Sequence, residues 1–163
     1  MRARDFFIGF GAGVLVVTGI QAMGGLFDNK KIAECSQPFD IDGVKIKVNE
    51  VRLKNNEDQF ISYPELAQYA QLRADEIAST GDVNHESKYG TFGQWAKANN
   101  IPFTAPYETV GEVLDGPRST SCQTVEDWEN SPTHFALITD KKFTSFGAGL
   151  KDGYSVVILG NPQ

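Results

Sequence analysis

The sequence predicts a layered α+β domain on three observations. Ser62 with Glu65 has capping-box spacing, and Leu66, Tyr69, Ala70, Arg73 and Ile77 follow at helical period up to Gly81, which marks a long amphipathic helix. Thr91 with Gln94 repeats the capping signal ahead of a second, shorter helix containing Trp95 and Ala98. The chain closes on two apolar runs, Phe143 to Leu150 and Tyr154 to Leu159, joined through Asp152-Gly153, a two-residue hairpin signal. Helices that alternate loosely with strands and end on an antiparallel hairpin bury their apolar faces by packing as layers.

The remaining elements follow in order. Ile41, Val44, Val48 and Val51 recur at helical spacing, and despite their β-branched content they predict a helix over Gly43 to Lys54, followed by the polar loop Asn55 to Asp58. Pro64 suits the first turn of the long helix, and Asn99-Asn100-Ile101-Pro102 ends the shorter one. His85 therefore falls in the connection between two helices, where a side chain can face a cleft. An irregular stretch, Ile101 to Pro106, leads into Val110 to Leu114, a short strand interrupted by glycine, and then the loop Asp115 to Ser121. Val125 and Trp128 share a helical face on a segment starting near Thr124, which Pro132 cannot continue undisturbed. Trp95, Trp128, Phe143 and Phe146 are expected in the packed layers, and Glu126 and Glu129 on a solvated helix surface.

Composition and the N-terminus bound the function. A net charge of −6 over 163 residues excludes a phosphate-tracking face and with it nucleic acid as a partner. Phe6 to Phe27 carries no charged side chain, follows Arg2 and Arg4, and is closed by Asp28, Lys30 and Lys31, so this segment meets a membrane. Ile20-Gln21-Ala22 is a poor cleavage triplet. The expectation is an uncleaved single-pass anchor over 1–27 and a tether over 28–38, with the 39–163 domain held extracytoplasmically; secretion after signal cleavage is the alternative. Export would also suit a Cys35–Cys122 disulfide, worth roughly 4–5 kcal/mol for so long a loop, against two buried thiols as the other reading. Glu34 before Cys35 argues against lipid attachment.

His85, Glu112 and His134 supply the chemistry. Two imidazoles and one carboxylate are a three-ligand set for a divalent metal, zinc or magnesium, with the next position left to water or ligand. The alternative is that each histidine makes a satisfied hydrogen bond at a helix end, with Glu112 accepting from an amide or a histidine. Ser131 with His134 and Glu112 has the residue types of a hydrolytic triad, but Ser131-Pro132 reads better as a helix cap, its hydroxyl bonding an amide near His134, and no Gly-x-Ser-x-Gly elbow is present. A first-turn His134 faces a helix dipole that disfavours the imidazolium, leaving the neutral ring that can ligate a metal.

Several segments stand in the order of the CAP superfamily (cysteine-rich secretory proteins, antigen 5 and pathogenesis-related proteins) in its bacterial SCP-like form. Val48-Asn49-Glu50-Val51-Arg52 resembles the opening helix, His85 the first site histidine, Val110-Gly111-Glu112 the start of the Gly-Glu-Asn motif, Val125 to His134 the Trp-x-x-Ser-Pro-x-His motif, and Phe143 to Gly160 the closing hairpin. Val113 and Phe135 depart from the pattern, and Ser131 stands where longer members carry a second glutamate. The resemblance implies a three-layer α-β-α sandwich with a cleft around His85, Glu112, Ser131 and His134 that sometimes holds a divalent metal. It implies a membrane-tethered ligand-binding or signalling module, its ligand a small molecule, lipid or peptide. A metal-assisted hydrolase of peptides or esters in the same cleft is the alternative.

Overall fold

The computed structural model describes residues 39–102 and 111–161. Helix α1 (Ile41–Lys54) begins at Asp40, whose carboxylate accepts from the Gly43 amide at 2.6 Å. The two-residue strand β1 (Ile61–Ser62) precedes α2 (Pro64–Thr80), and α3 (Phe92–Ala98) precedes strand β2 (Gly111–Asp115). Helices α4 (Ser121–Asn130) and α5 (Pro132–Ile138) follow, and the hairpin β3 (Ser145–Lys151) and β4 (Tyr154–Gly160) closes the chain. The sheet order is β1-β3-β4-β2, with β1 parallel to β3 and the other pairs antiparallel, so β2 is an edge strand.

Alternation along the strands divides the interior into two cores. Val157 and Leu159 of β4 pack with Val113, Val44, Val48, Val51, Val125 and Trp128, on the side of α1 and α4. Val156 and Ile158 point the other way, with Leu114, against Leu66, Tyr69, Ala70, Ile77, Phe92 and Trp95 of α2 and α3. Helices thus cover both faces of one sheet, the expected α-β-α layering. Helix α2 lies close on β3: a Cβ added at Gly147 would stand 2.1 Å from the Ala67 nitrogen, and one at Gly149 2.3 Å from the Ala70 carbonyl carbon. The hairpin turn has Asp152 at φ 50° and Gly153 at φ 85°, the paired left-handed conformation that an Asp-Gly turn supplies.

Three boundaries differ from expectation, the first being the start of α1 at Ile41 rather than Gly43. The cap of α2 is Tyr63 rather than Ser62, and it makes no side-chain capping bond. Ser62 pairs in β1, and the Tyr63 amide donates to the Phe146 carbonyl, so sheet pairing displaces the capping box while Pro64 keeps its first-turn place. Helix α4 starts at Ser121, capped by Thr120 accepting from the Gln123 amide; the apolar period marks the helix only from its buried face onward. The capping box at Thr91 and Gln94 is present in both directions. The anchor over 1–27, the tether over 28–38 and Cys35 lie outside the described residues, as does most of the irregular stretch before β2. Among the described residues no helix is long and apolar enough to cross a membrane.

Candidate functional site

The site is assembled around an arginine. Arg73 lies on the inner face of α2, with its side chain 1% exposed. Its Nε donates to Glu112 Oε1 of β2 at 2.9 Å, one terminal nitrogen donates to Glu76 Oε2 at 2.5 Å, and the other to the Asn84 carbonyl at 2.6 Å. Burial of the guanidinium works against its charge, but Glu112 and Glu76 outweigh it and hold the group above the usual arginine value. Such a pair is maintained by mutual satisfaction: losing one partner costs about 3–5 kcal/mol because the other is left charged and buried.

Glu112 reaches the sheet edge because it alternates with Val113, on the same side of β2 as Leu114. Its second oxygen, Oε2, lies 2.9 Å from His85 Nδ1. Glu76 fastens the loop beyond His85, accepting from the Ser87 hydroxyl at 2.8 Å and the Lys88 amide at 2.7 Å. Burial pushes the Glu76 carboxyl up, yet these bonds and Arg73 overcome it and leave the group below the ordinary glutamate value. Tyr69 donates to the Gly90 carbonyl at 2.5 Å, and burial with the Glu112 charge pushes its hydroxyl up to about 12.

His85 and Glu112 open on a cavity of about 680 Å³ beside the start of β2. Tyr69, Phe92, Leu137 and Ile158 supply its apolar lining, and Gln94 and Lys97 of α3 add polar groups. His134 lies apart from this lining, in the first turn of α5, half-buried and within electrostatic reach of both His85 and Asp115. Burial, with His85 adding to it and Asp115 opposing, holds its imidazole below the ordinary histidine value, so the neutral ring expected from the helix dipole is favoured by desolvation. Ser131 stands between α4 and α5 with its backbone in cap position, but its hydroxyl makes no capping bond, contrary to expectation; its amide donates to the Trp128 carbonyl instead.

His85 and Glu112 meet in a hydrogen bond, while His134 stands outside the cavity lining. Glu112 spends both oxygens on Arg73 and His85, and among the described residues no group of three or more His, Cys, Asp or Glu side chains is placed to hold an ion. Trp128, Phe143 and Phe146 are fully buried and Trp95 nearly so, while Glu126 and Glu129 are exposed, as expected. Cys122 is buried on α4, and its expected partner is outside the described residues. Pattern reading passed over Arg73, Glu76 and Asp115. The signal was present for the first: an arginine at helical period among Leu66, Tyr69, Ala70 and Ile77 occupies an apolar face and requires buried acids.

An α-β-α sandwich with a histidine-glutamate pair beside its edge strand defines a CAP-type domain. The model of the CAP family, cysteine-rich secretory protein family, matches residues 46–157, more than half of the 163-residue chain, and the protein belongs to that family. Its fold is similar to an extracellular protein containing an SCP domain from Bacillus anthracis, at 19% identity and TM-score 0.65 over 77% of this chain and 45% of that one. It is also similar to an outer surface protein from Borrelia burgdorferi, at 18% identity and TM-score 0.65 over 78% of this chain and 99% of that one. A cysteine-rich secretory protein from Staphylococcus aureus gives 16% identity and TM-score 0.63 over 74% and 38%. This chain thus spans less than half of the Bacillus and Staphylococcus chains. No curated protein matches it.

Proposed function

We propose that this CAP domain is an extracytoplasmic, membrane-tethered ligand-binding module whose cleft is the cavity beside β2. One observation carries the reading: the apolar side chains of Phe92, Leu137 and Ile158 line a cavity of about 680 Å³ together with a fixed polar pair, His85 and Glu112. Apolar walls with a few placed polar groups are how small-molecule and peptide sites achieve both affinity and orientation. The uncharged run Phe6 to Phe27 supports the tether, and the extracellular and outer-surface descriptions of the Bacillus and Borrelia proteins support the side of the membrane. Binding is favoured over turnover because Glu112 is committed to Arg73 and His85, and Ser131 does not line the cavity.

The test uses the full chain and three probes: octanol, octanoate and a blocked Phe-Ala dipeptide. Saturable NMR shifts at Phe92 and Leu137 are expected with at least one. Leu137→Trp, which fills space in the cavity lining, is expected to weaken that probe at least tenfold, or about 1.4 kcal/mol. If no probe shifts these residues, or if Leu137→Trp binds as well as the parent, the reading fails.

A further inference from the structure

We propose that Arg73 is the positioning residue of this cleft: through Glu112 it fixes His85 as the Nδ1–H tautomer, leaving Nε2 as a hydrogen-bond acceptor open to the cavity. The ligand group that meets His85 is then a donor, namely a hydroxyl, an amide N–H or an ammonium. The ligand half rests on the cleft reading above; the state of the ring does not.

The geometry runs outward from the buried guanidinium. One face of the Glu112 carboxylate accepts from Arg73 Nε at 2.9 Å, so its orientation is set from inside the protein. A carboxylate bound to a guanidinium accepts and does not donate, so the 2.9 Å contact from Oε2 to His85 Nδ1 requires the proton on the ring nitrogen. His85 is 67% exposed, and nothing in its own packing would choose a tautomer. The choice comes from the carboxylate partner, as it does for histidines oriented by an acid behind them. Arg73 also holds the backbone that carries the ring, through the Asn84 carbonyl at 2.6 Å on one side. On the other side it binds Glu76, which fastens Ser87 and Lys88.

Arg73 has a second consequence. Glu112 is only 16% exposed and needs a cation, which Arg73 provides, so His85 is not required to be one.

The experiment reads the ring nitrogens directly by ¹⁵N NMR of the full chain in a His134→Gln background, where His85 is the only histidine. The parent is expected to show a protonated Nδ1 and a bare Nε2. Arg73→Gln is expected to release the ring, read as a mixture of the Nδ1–H and Nε2–H tautomers. Arg73→Lys, which keeps the charge but loses the fork, is expected to fall between. Glu112→Gln is expected to release the tautomer. An Nε2–H ring in the parent, or an unchanged ring in folded Arg73→Gln and Arg73→Lys, overturns the proposal. If Arg73→Gln does not fold, an unchanged ring in Arg73→Lys and Glu112→Gln does so. No ligand is present in this measurement, so its failure leaves the cleft untouched, and failure of the probe titrations leaves the tautomer untouched.

Discussion

Two arginines are almost fully buried, and they spend their charge differently. Arg73 meets acids, whereas Arg52 of α1 donates to four main-chain carbonyls: Asp58 at 2.5 Å, Ile138 at 2.8 Å, and Asp140 and Phe143 at 3.3 Å. Its guanidinium carbon also lies 3.8 Å from the centre of the Phe60 ring. It fastens the loop after α1, the end of α5 and the turn leading into β3 to the first helix. Arg52→Met keeps an apolar stem but leaves carbonyls buried without donors, at about 1–3 kcal/mol each. The expected loss is about 3 kcal/mol or more, read as a lower urea midpoint; a midpoint equal to that of the parent would show that the carbonyls find other donors. Motif order placed Asn49 and Arg52 in the opening helix and brought His85 and Glu112 together, because those residues carry sequence signals of their own. Helical period marked Arg73 as a buried charge in need of acids, but not which acids meet it across a layer, and it gave no sign of the role of Glu76.

Among the elements, α2 decides where the site stands, because it carries Arg73, Glu76 and Tyr69 and leads into the His85 loop. Its height above the sheet is set by two glycines of β3. At Gly149 an added Cβ would lie 2.4 Å from the Ala70 carbonyl oxygen, and the obstructing atoms are backbone, which cannot swing aside. Gly149→Ala must therefore lift α2, at about 1–3 kcal/mol or more, and carry Arg73 away from Glu112. A lowered urea midpoint together with a released His85 tautomer is expected; a stability loss with the ring unchanged would show that α2 tilts about the site without displacing it. The hairpin was legible because Asp152-Gly153 fixes its turn locally. β1 was not, since two residues carry no period and their pairing depends on β3, more than eighty positions away in sequence. The shifted starts of α2 and α4 have the same origin: a cap signal competes with sheet pairing at Ser62, and apolar period misses a polar first turn at Ser121.

For the molecule as a whole, the two faces of β2 meet different charges, and this shapes stability against pH. Glu112 faces Arg73 on one side, while Asp115, of opposite parity, meets Arg118, Asp127 and His134 on the other. Burial drives the Asp115 carboxyl up, with Arg118 and His134 opposing, so its contribution is full below 3.8 and fades as pH rises through its folded value. Glu76 and Asp140 act with the opposite sign, each held below its ordinary value by hydrogen bonds that overcome burial; their contributions are present above 4.5 and 3.8 and are lost as pH falls through the folded values. His134 alone among the shifted groups operates near neutrality. Its folded value lies below 6.5, so between the two values the unfolded chain holds the extra proton and stability must rise with pH, levelling off above 6.5. Urea midpoints measured across this range should therefore decline as pH drops from about 6.5, well before the carboxylates titrate. His134→Gln should abolish that early decline and leave the later, acid-side loss from Glu76 and Asp140 in place. An early decline that persists in His134→Gln would assign it to another group.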